Sequence, residues 1–88
     1  MANWMGGSAP AMAGQVSGGF ALVSSASLKG FNPAEMQTFR MELEKLLRST
    51  RAEVPPQDNA LAQQARNHRL SRLTSALQVV QNQLTKRR

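Results

Sequence analysis

Apolar residues recur at helical spacing in two stretches of the chain. In the first stretch, four residues follow one another at intervals of three or four: Met36, Phe39, Leu43 and Leu46. In the second, the same spacing joins five aliphatic residues: Leu70, Leu73, Leu77, Val80 and Leu84. Such spacing places each set on one helix face, and the second set is typical of a coiled-coil seam. The sequence therefore predicts helices over 33–51 and 59–85, joined by a Pro-Pro loop over 52–58.

The start of the first helix carries several independent signals. Asn32 suits the N-cap, where its side-chain oxygen accepts a bond from an unpaired backbone N–H. Pro33 falls at the first helical position, where its missing N–H costs nothing. Glu35 completes a capping box with Asn32, and Phe31 with Met36 forms a hydrophobic staple.

The loop between the helices predicts how they are arranged. The first helix must end before Pro55, because a residue preceding proline is pushed out of helical geometry. Asp58 or Asn59 then caps the second helix. Both apolar stripes become polar towards this loop, at Thr50 and at Arg66. This agreement favours an antiparallel helical hairpin.

The first thirty residues differ from the rest in composition. They consist mainly of Gly, Ala, Ser and Met with scattered apolar side chains, and they carry no charge before Lys29. We interpret residues 1–30 as a flexible N-terminal arm. The alternative is a segment that becomes ordered on a neighbouring subunit. If the arm is flexible, deleting residues 1–28 should leave the helical signal and the melting transition nearly unchanged.

The second helix is longer than the first, so part of its apolar seam needs a cover. Leu77, Val80 and Leu84 would extend past the start of the first helix, and each is worth about 1.5–3 kcal/mol if buried. Either the 16–31 segment or a second chain must cover them, and the small size of the chain favours the second chain. The predicted fold is thus an all-α antiparallel hairpin with a flexible arm, oligomeric as a dimeric helical bundle. Its predicted oligomer interface is the seam: Leu70, Leu73, Leu77, Val80 and Leu84.

Composition limits the class of protein. The chain has 88 residues, no cysteine and a formal net charge of +6. It forms one small domain at most, and its charge favours anionic partners. No apolar run approaches the roughly 18 residues that span a bilayer, and no secretory signal peptide is evident. These features leave the compartment undetermined.

The residue inventory argues against catalysis. His68 is the only histidine, and the chain lacks cysteine and tyrosine. Glu42 and Glu44 lie two positions apart on a helix and point to different faces. No glycine motif of a nucleotide-binding loop is present. We therefore predict no catalytic residues, no cofactor, no metal site and no small-molecule substrate.

Basic residues dominate the second helix. Arg66, Arg69 and Arg72, the arginine ladder, follow at intervals of three, and no acidic residue occurs after Asp58. The chain ends in Lys86-Arg87-Arg88. Guanidinium groups bind phosphate oxygens in bidentate fashion and stay charged, which suits nucleic acid. The leading hypothesis is a non-enzymatic basic helical protein that self-associates and binds RNA or DNA through these six residues.

A structural role for the arginine ladder is the main alternative to phosphate contact. Its guanidinium groups could pair with glutamates of the first helix region, Glu42, Glu44 or Glu53, or could simply keep the surface soluble. Other acidic partners, including an acidic protein, are a further alternative to nucleic acid. If the ladder serves nucleic acid instead, replacing all three arginines with Gln should leave the fold intact, since Gln is a tolerable helix former.

A second function is suggested by short sequence features and by the polar face of the second helix. The chain has an N-terminal tryptophan, Trp4. Its loop between the helices contains Pro56, Asp58 and Asn59 and is followed by Ala60 and Leu61. This combination resembles the subunits of type III secretion needles. The resemblance implies a short helical hairpin that stacks into a hollow filament. The charge of +6 and the basic C-terminus depart from that pattern.

The outer face of the second helix is polar but uncharged: Gln64, Asn67, Ser71, Thr74, Ser75, Gln78 and Asn82. Such a face can contact another protein without burying unpaired charge. The alternative function is therefore a structural subunit of a filament or shell, in which this face and the N-terminal arm make the contacts.

Overall fold

The computed structural model describes residues 7–55 and 57–86 and contains three helices within them. These are α1 (Ala9–Ser17), α2 (Pro33–Ala52) and α3 (Ala60–Lys86). The described residues form no strand, so the predicted all-helical class is confirmed. Helices α2 and α3 begin and end within one residue of the predicted bounds.

Helix α2 begins as its sequence predicts. The Asn32 Oδ1 atom accepts a bond of 2.8 Å from the Glu35 backbone N–H, and Glu35 Oε1 accepts one of 3.0 Å from the Asn32 N–H. Pro33 is the first residue of the helix. Phe31 and Met36, the two staple positions, are both buried in the core. The capping box is therefore confirmed atom by atom.

Helix α3 is capped by Asn59 rather than by Asp58. The Asn59 Oδ1 atom accepts a bond of 3.0 Å from the Ala62 N–H, and the Asn59 carbonyl accepts one of 3.1 Å from the Gln63 N–H. At the other side of the loop, Thr50 is buried, and its hydroxyl donates to the Leu46 carbonyl at 2.8 Å. That bond satisfies the hydrogen-bonding capacity of the buried Thr50 hydroxyl, which lies where the apolar stripe of α2 becomes polar.

The segment interpreted as a flexible arm is folded in its described part, and that interpretation is corrected there. Ser8 caps α1 by accepting a bond of 3.3 Å from the Ala11 N–H. Met12, Ala13 and Val16 of α1 are buried. The helix packs against both α2 and α3. Small residues let α1 approach its neighbours closely while Met12 and Val16 fill the space between them, so an uncharged composition here indicates packing rather than disorder. Residues 1–6 lie outside the described part.

The connection from α1 to α2 also contributes to the core. Ala21, Leu28 and Phe31 are buried in the same cluster as the apolar stripe of α2. The Phe31 and Phe39 rings meet edge to face, with centroids 6.4 Å apart and planes inclined by 66°. This geometry is a favourable one for aromatic pairs. Residues 21–31 therefore anchor α1 to the helical pair.

The aliphatic seam of α3 is covered from within the chain. Leu73 and Val80 are fully buried, and Leu77 and Leu84 pack, partly buried, against the same core. Leu70 is half-buried. With 27 residues against 20, α3 exceeds α2 by about 10 Å, and the core that covers its seam includes residues of α1. The N-terminal segment, one of the two predicted covers, contributes to this core. Leu73 and Val80 are therefore interior residues of a single chain, whereas Leu70, Leu77 and Leu84 keep part of their surface exposed, and an oligomer contact through the seam stays a prediction.

Candidate functional site

Arg66 of the arginine ladder binds the end of α2. Its Nε donates to the Thr50 carbonyl at 3.1 Å, and its Nη2 donates to the Arg51 carbonyl at 3.0 Å. These carbonyls lie in the last turn of α2, where a helix leaves carbonyls short of N–H partners. The Thr50 carbonyl also accepts a bond of 3.2 Å from the Glu53 N–H. A cation there is also favoured by the partial negative charge of the helix C-terminus. Arg66 therefore acts as a side-chain cap that links α3 to α2.

Arg72 performs the same task for α1. Its Nε donates to the Ser17 carbonyl at 3.0 Å, and Ser17 is the last residue of α1. Gly19 follows with a φ of +83°, and a Cβ atom at that position would lie 3.4 Å from Arg72 Cζ. The glycine thus permits the left-handed turn and leaves room for the guanidinium group.

Arg69 makes the weakest contact of the ladder. Its Nη2 pairs with Glu53 Oε2, and the two side chains are 34% and 54% exposed. An ion pair this open to water contributes about 0–1 kcal/mol. Of the three glutamates considered as partners, only Glu53 engages the ladder, because Glu42 pairs with Lys45 and Glu44 pairs with Arg40.

The arginine ladder thus makes four internal hydrogen bonds, three of them to carbonyls at helix C-termini. This arrangement differs from the expectation that the three arginines are dispensable for folding. Lys86, a further predicted phosphate ligand, is exposed at the end of α3. Arg87 and Arg88, which complete the predicted set, lie outside the described residues, as do Trp4 and Pro56.

A shallow cavity opens between α3 and the turn that follows α1. We call it the groove; its volume is about 160 Å³. It is lined by Val16, Ala21, Leu22, Val23, Ser71, Arg72, Ser75 and Ala76. Phe20, directly before the lining residues, and Leu22 are each 85% exposed. A Cβ atom on Gly18 would lie 3.0 Å from the Phe20 ring, so the ring lies beside the backbone of this glycine in the turn.

Sequence reasoning did not identify the groove. Phe20 and Leu22 appeared only as scattered apolar residues, and Ser71 and Ser75 appeared only as part of a polar face. The two sets are separated by about fifty positions in the chain, and no periodic pattern connects them. Only the docking of α1 brings them together.

The described residues were compared with the requirements of a metal site and of a membrane-spanning helix. No group of three or more His, Asp or Glu side chains there could hold a metal ion. Every buried side-chain nitrogen or oxygen atom of this part has a hydrogen-bond partner. None of the helices in residues 7–55 and 57–86 is long and apolar enough to cross a membrane.

Comparison of the chain with models of protein families, with curated proteins and with solved structures finds no match.

Proposed function

We propose that this chain is a non-enzymatic assembly subunit whose copies bind one another through the groove. The observation that carries the proposal is the exposure of Phe20 and Leu22 beside an apolar cavity. Single exposed apolar side chains are ordinary on a protein surface. Two exposed apolar side chains next to a concave apolar lining form a hydrophobic patch, and its exposure to water is energetically unfavourable.

Charge supports self-contact at this place on the molecule. A net charge of +6 makes copies of the chain repel one another, so they associate best where little charge is present. Arg72 is the only charged residue among those that line the groove, and its Nε is engaged by Ser17. The exposed Ser71 and Ser75 can meet a partner without leaving an unpaired charge at the interface.

The patch contains both halves of a two-fold contact. In a symmetric dimer the same surface serves both subunits, so a projecting side chain and its receptor must lie together. On association the Phe20 ring would turn away from Gly18 and provide the projection, and the lining around Val23 and Ala76 would provide the receptor. Each copy would place its Phe20 ring in the groove of the other.

The proposal includes a finer architecture, with α2 and α3 as an antiparallel hairpin within each subunit. The bond from Arg66, early in α3, to Thr50, late in α2, supports that arrangement. The Arg69–Glu53 pair joins the same two ends.

Light scattering coupled to size-exclusion chromatography tests self-association through the groove. We expect wild type to give a mass that is a multiple of 9.6 kDa and rises with concentration. Phe20→Ser should shift it to the monomer, whereas Met41→Ser, an exposed apolar residue of α2 outside the groove, should not. A wild type that stays monomeric, or equal effects of the two variants, would contradict the proposal.

Nucleic-acid binding is a second candidate, favoured by one specific observation. The described length of α3, Ala60–Lys86, carries four basic residues and no acidic one. The proposed ligands remain Arg66, Arg69, Arg72, Lys86, Arg87 and Arg88. Because the ladder has structural partners, the C-terminal residues are the better place to test this function.

The test of nucleic-acid binding is the salt dependence of affinity for labelled single-stranded RNA and duplex DNA. Each phosphate contact contributes a log–log slope of about −0.9 on a duplex and about −0.7 on a single strand. Changing Lys86, Arg87 and Arg88 to Gln should flatten the slope without changing Tm. Absence of binding at about 50 mM salt, where such contacts are strong, would exclude this function.

A further inference from the structure

A second surface lies at the opposite connection of the chain, between α2 and α3. We call it the turn surface and define it by Arg51, Val54, Pro55, Arg66 and Arg69. Two adjoining cavities of about 290 and 430 Å³ open there, and their linings share four residues: Glu53, Val54, Pro55 and Arg66. None of these residues lines the groove, so the two surfaces are separate.

The turn surface combines an exposed aliphatic residue with a rigid backbone. Val54 lines both cavities and is 90% exposed. Pro55 fixes its own φ angle and restricts the backbone of Val54. The aliphatic contact is therefore offered in a conformation that costs little further entropy on binding.

The charge of the turn surface is positive. Three guanidinium groups, those of Arg51, Arg66 and Arg69, line the cavities, with Glu53 as the one carboxylate among the lining residues. Arg69 already pairs with that carboxylate. An excess of two positive charges remains around Val54.

Arg66 is held in place for binding an anion. A guanidinium group has five N–H donors, and Arg66 uses one on its Nε and one on its Nη2 for the Thr50 and Arg51 carbonyls. The remaining donors are carried by a group whose position these two bonds fix. A carboxylate bound there needs no reordering of a long side chain.

We propose that the turn surface binds an acidic segment of another protein that carries an aliphatic side chain between its carboxylates. The positive charge selects the carboxylates, and the Val54 surface selects the aliphatic side chain. A second copy of this chain is a poor occupant, because it carries 11 basic residues against 5 acidic ones. None of the residues that line the cavities is aromatic, so bases lack there the aromatic side chains on which single strands stack.

Fluorescence anisotropy with the full chain tests the proposal. The probe is a labelled peptide of about 14 residues with Glu and Leu at helical spacing, compared with the same peptide carrying Gln for Glu. We expect the acidic peptide to bind at least about tenfold more tightly than its Gln counterpart, a difference of about 1.4 kcal/mol. Val54→Ser and Arg51→Gln should each weaken it about threefold to tenfold, in the range of moderate interface contacts.

The control variant is Arg48→Gln, which removes the same charge from an exposed position of α2 outside the cavity linings. It should change the affinity less than twofold, within the effect of a distant charge. No binding of the acidic peptide up to about 1 mM overturns the proposal, since that limit corresponds to only about −4 kcal/mol. Equal effects of Arg48→Gln and Arg51→Gln, or tighter binding of labelled RNA or DNA that depends on Arg51, overturn it as well. Because Phe20→Ser leaves the turn surface unchanged, its effect on mass tests self-association independently.

Discussion

Arg72 donates from its Nε to the Ser17 carbonyl across 3.0 Å, joining two residues that lie 55 positions apart in the chain. The bond connects the end of α1 to the middle of α3. The donor is charged and the acceptor is a helix-terminal carbonyl, so the bond belongs to the stronger class of protein hydrogen bonds. It is one of the contacts that hold the N-terminal segment on the helical pair.

Replacing Arg72 should therefore destabilise the protein. Arg72→Gln removes the donor at the right distance and leaves the Ser17 carbonyl without it, at a cost of about 1.5–3 kcal/mol. For a domain of this size each kcal/mol lowers Tm by about 4–8 °C. Thermal denaturation followed by circular dichroism measures the change. Arg48→Gln is the matched control, and a Tm as unchanged for Arg72→Gln as for Arg48→Gln would show that the bond does not hold α1.

The ladder should show unequal contributions at Arg66 and Arg69. Arg66→Gln removes two bonds to the last turn of α2 and should cost about 1.5–3 kcal/mol. Arg69→Gln removes only an exposed ion pair and should cost less than about 1 kcal/mol. Urea denaturation at low and high salt separates them, because about 1 M salt screens the Arg69 contribution but not that of Arg66. If both variants lose the same stability and both losses vanish in salt, Arg66 does not cap α2.

The N-terminal segment should behave as core rather than as a tail. Met12 is fully buried, so Met12→Ala should cost about 2–5 kcal/mol. Met41→Ala, at an exposed position of α2 outside the groove, should stay within about 0.5 kcal/mol. Chemical denaturation of the two variants provides the measurement.

The same measurement decides between a flexible arm and a docked α1. A flexible arm would make both variants neutral and would let residues 1–28 be deleted without a change in melting. Docked α1 predicts instead that the deletion lowers Tm, because it removes Met12, Val16 and Leu28 from the core.

Local features of this fold could be predicted from the sequence, whereas contacts between distant segments could not. The capping box of Asn32 and Glu35 depends on neighbours three positions apart, and it appears as expected. The role of Arg72 depends on where α1 docks. Helix α1 has few large apolar residues, so its sequence lacks a clear helical pattern. An uncharged run of Gly, Ala and Ser is compatible with a loose tail and with a closely packed helix. Tertiary contacts, through Met12 and Val16, decide between them.

The candidate surfaces were less predictable still. The arginine ladder is visible in the sequence as a pattern, and the sequence offers Glu53 as one of its possible partners. The bonds from the ladder to backbone carbonyls cannot be predicted from the sequence. Every residue has a carbonyl, and the sequence does not mark which carbonyls lie at a helix end facing α3. The groove likewise depends on the meeting of Leu22 with Ser75, which only the folded chain brings about.

Two glycines of the N-terminal segment should respond to alanine with opposite sign. Gly14 lies within α1, and a Cβ atom there would meet nothing within 4 Å. Gly14→Ala should therefore stabilise the protein by about 0.5–1 kcal/mol, because alanine loses less backbone entropy in a helix. Gly19 has a φ of +83°, and a Cβ atom there would lie 3.4 Å from the Arg72 guanidinium group. Gly19→Ala should destabilise by at least about 1–2 kcal/mol, the cost of a left-handed conformation for an L-residue.

Paired urea titrations measure both changes against wild type. Because the two substitutions add the same methyl group five positions apart, a shared effect on the unfolded chain largely cancels in their difference. A difference close to zero would mean that α1 is not helical at Gly14 or that the turn at Gly19 is not left-handed, and either result would remove the basis for the docked position of α1.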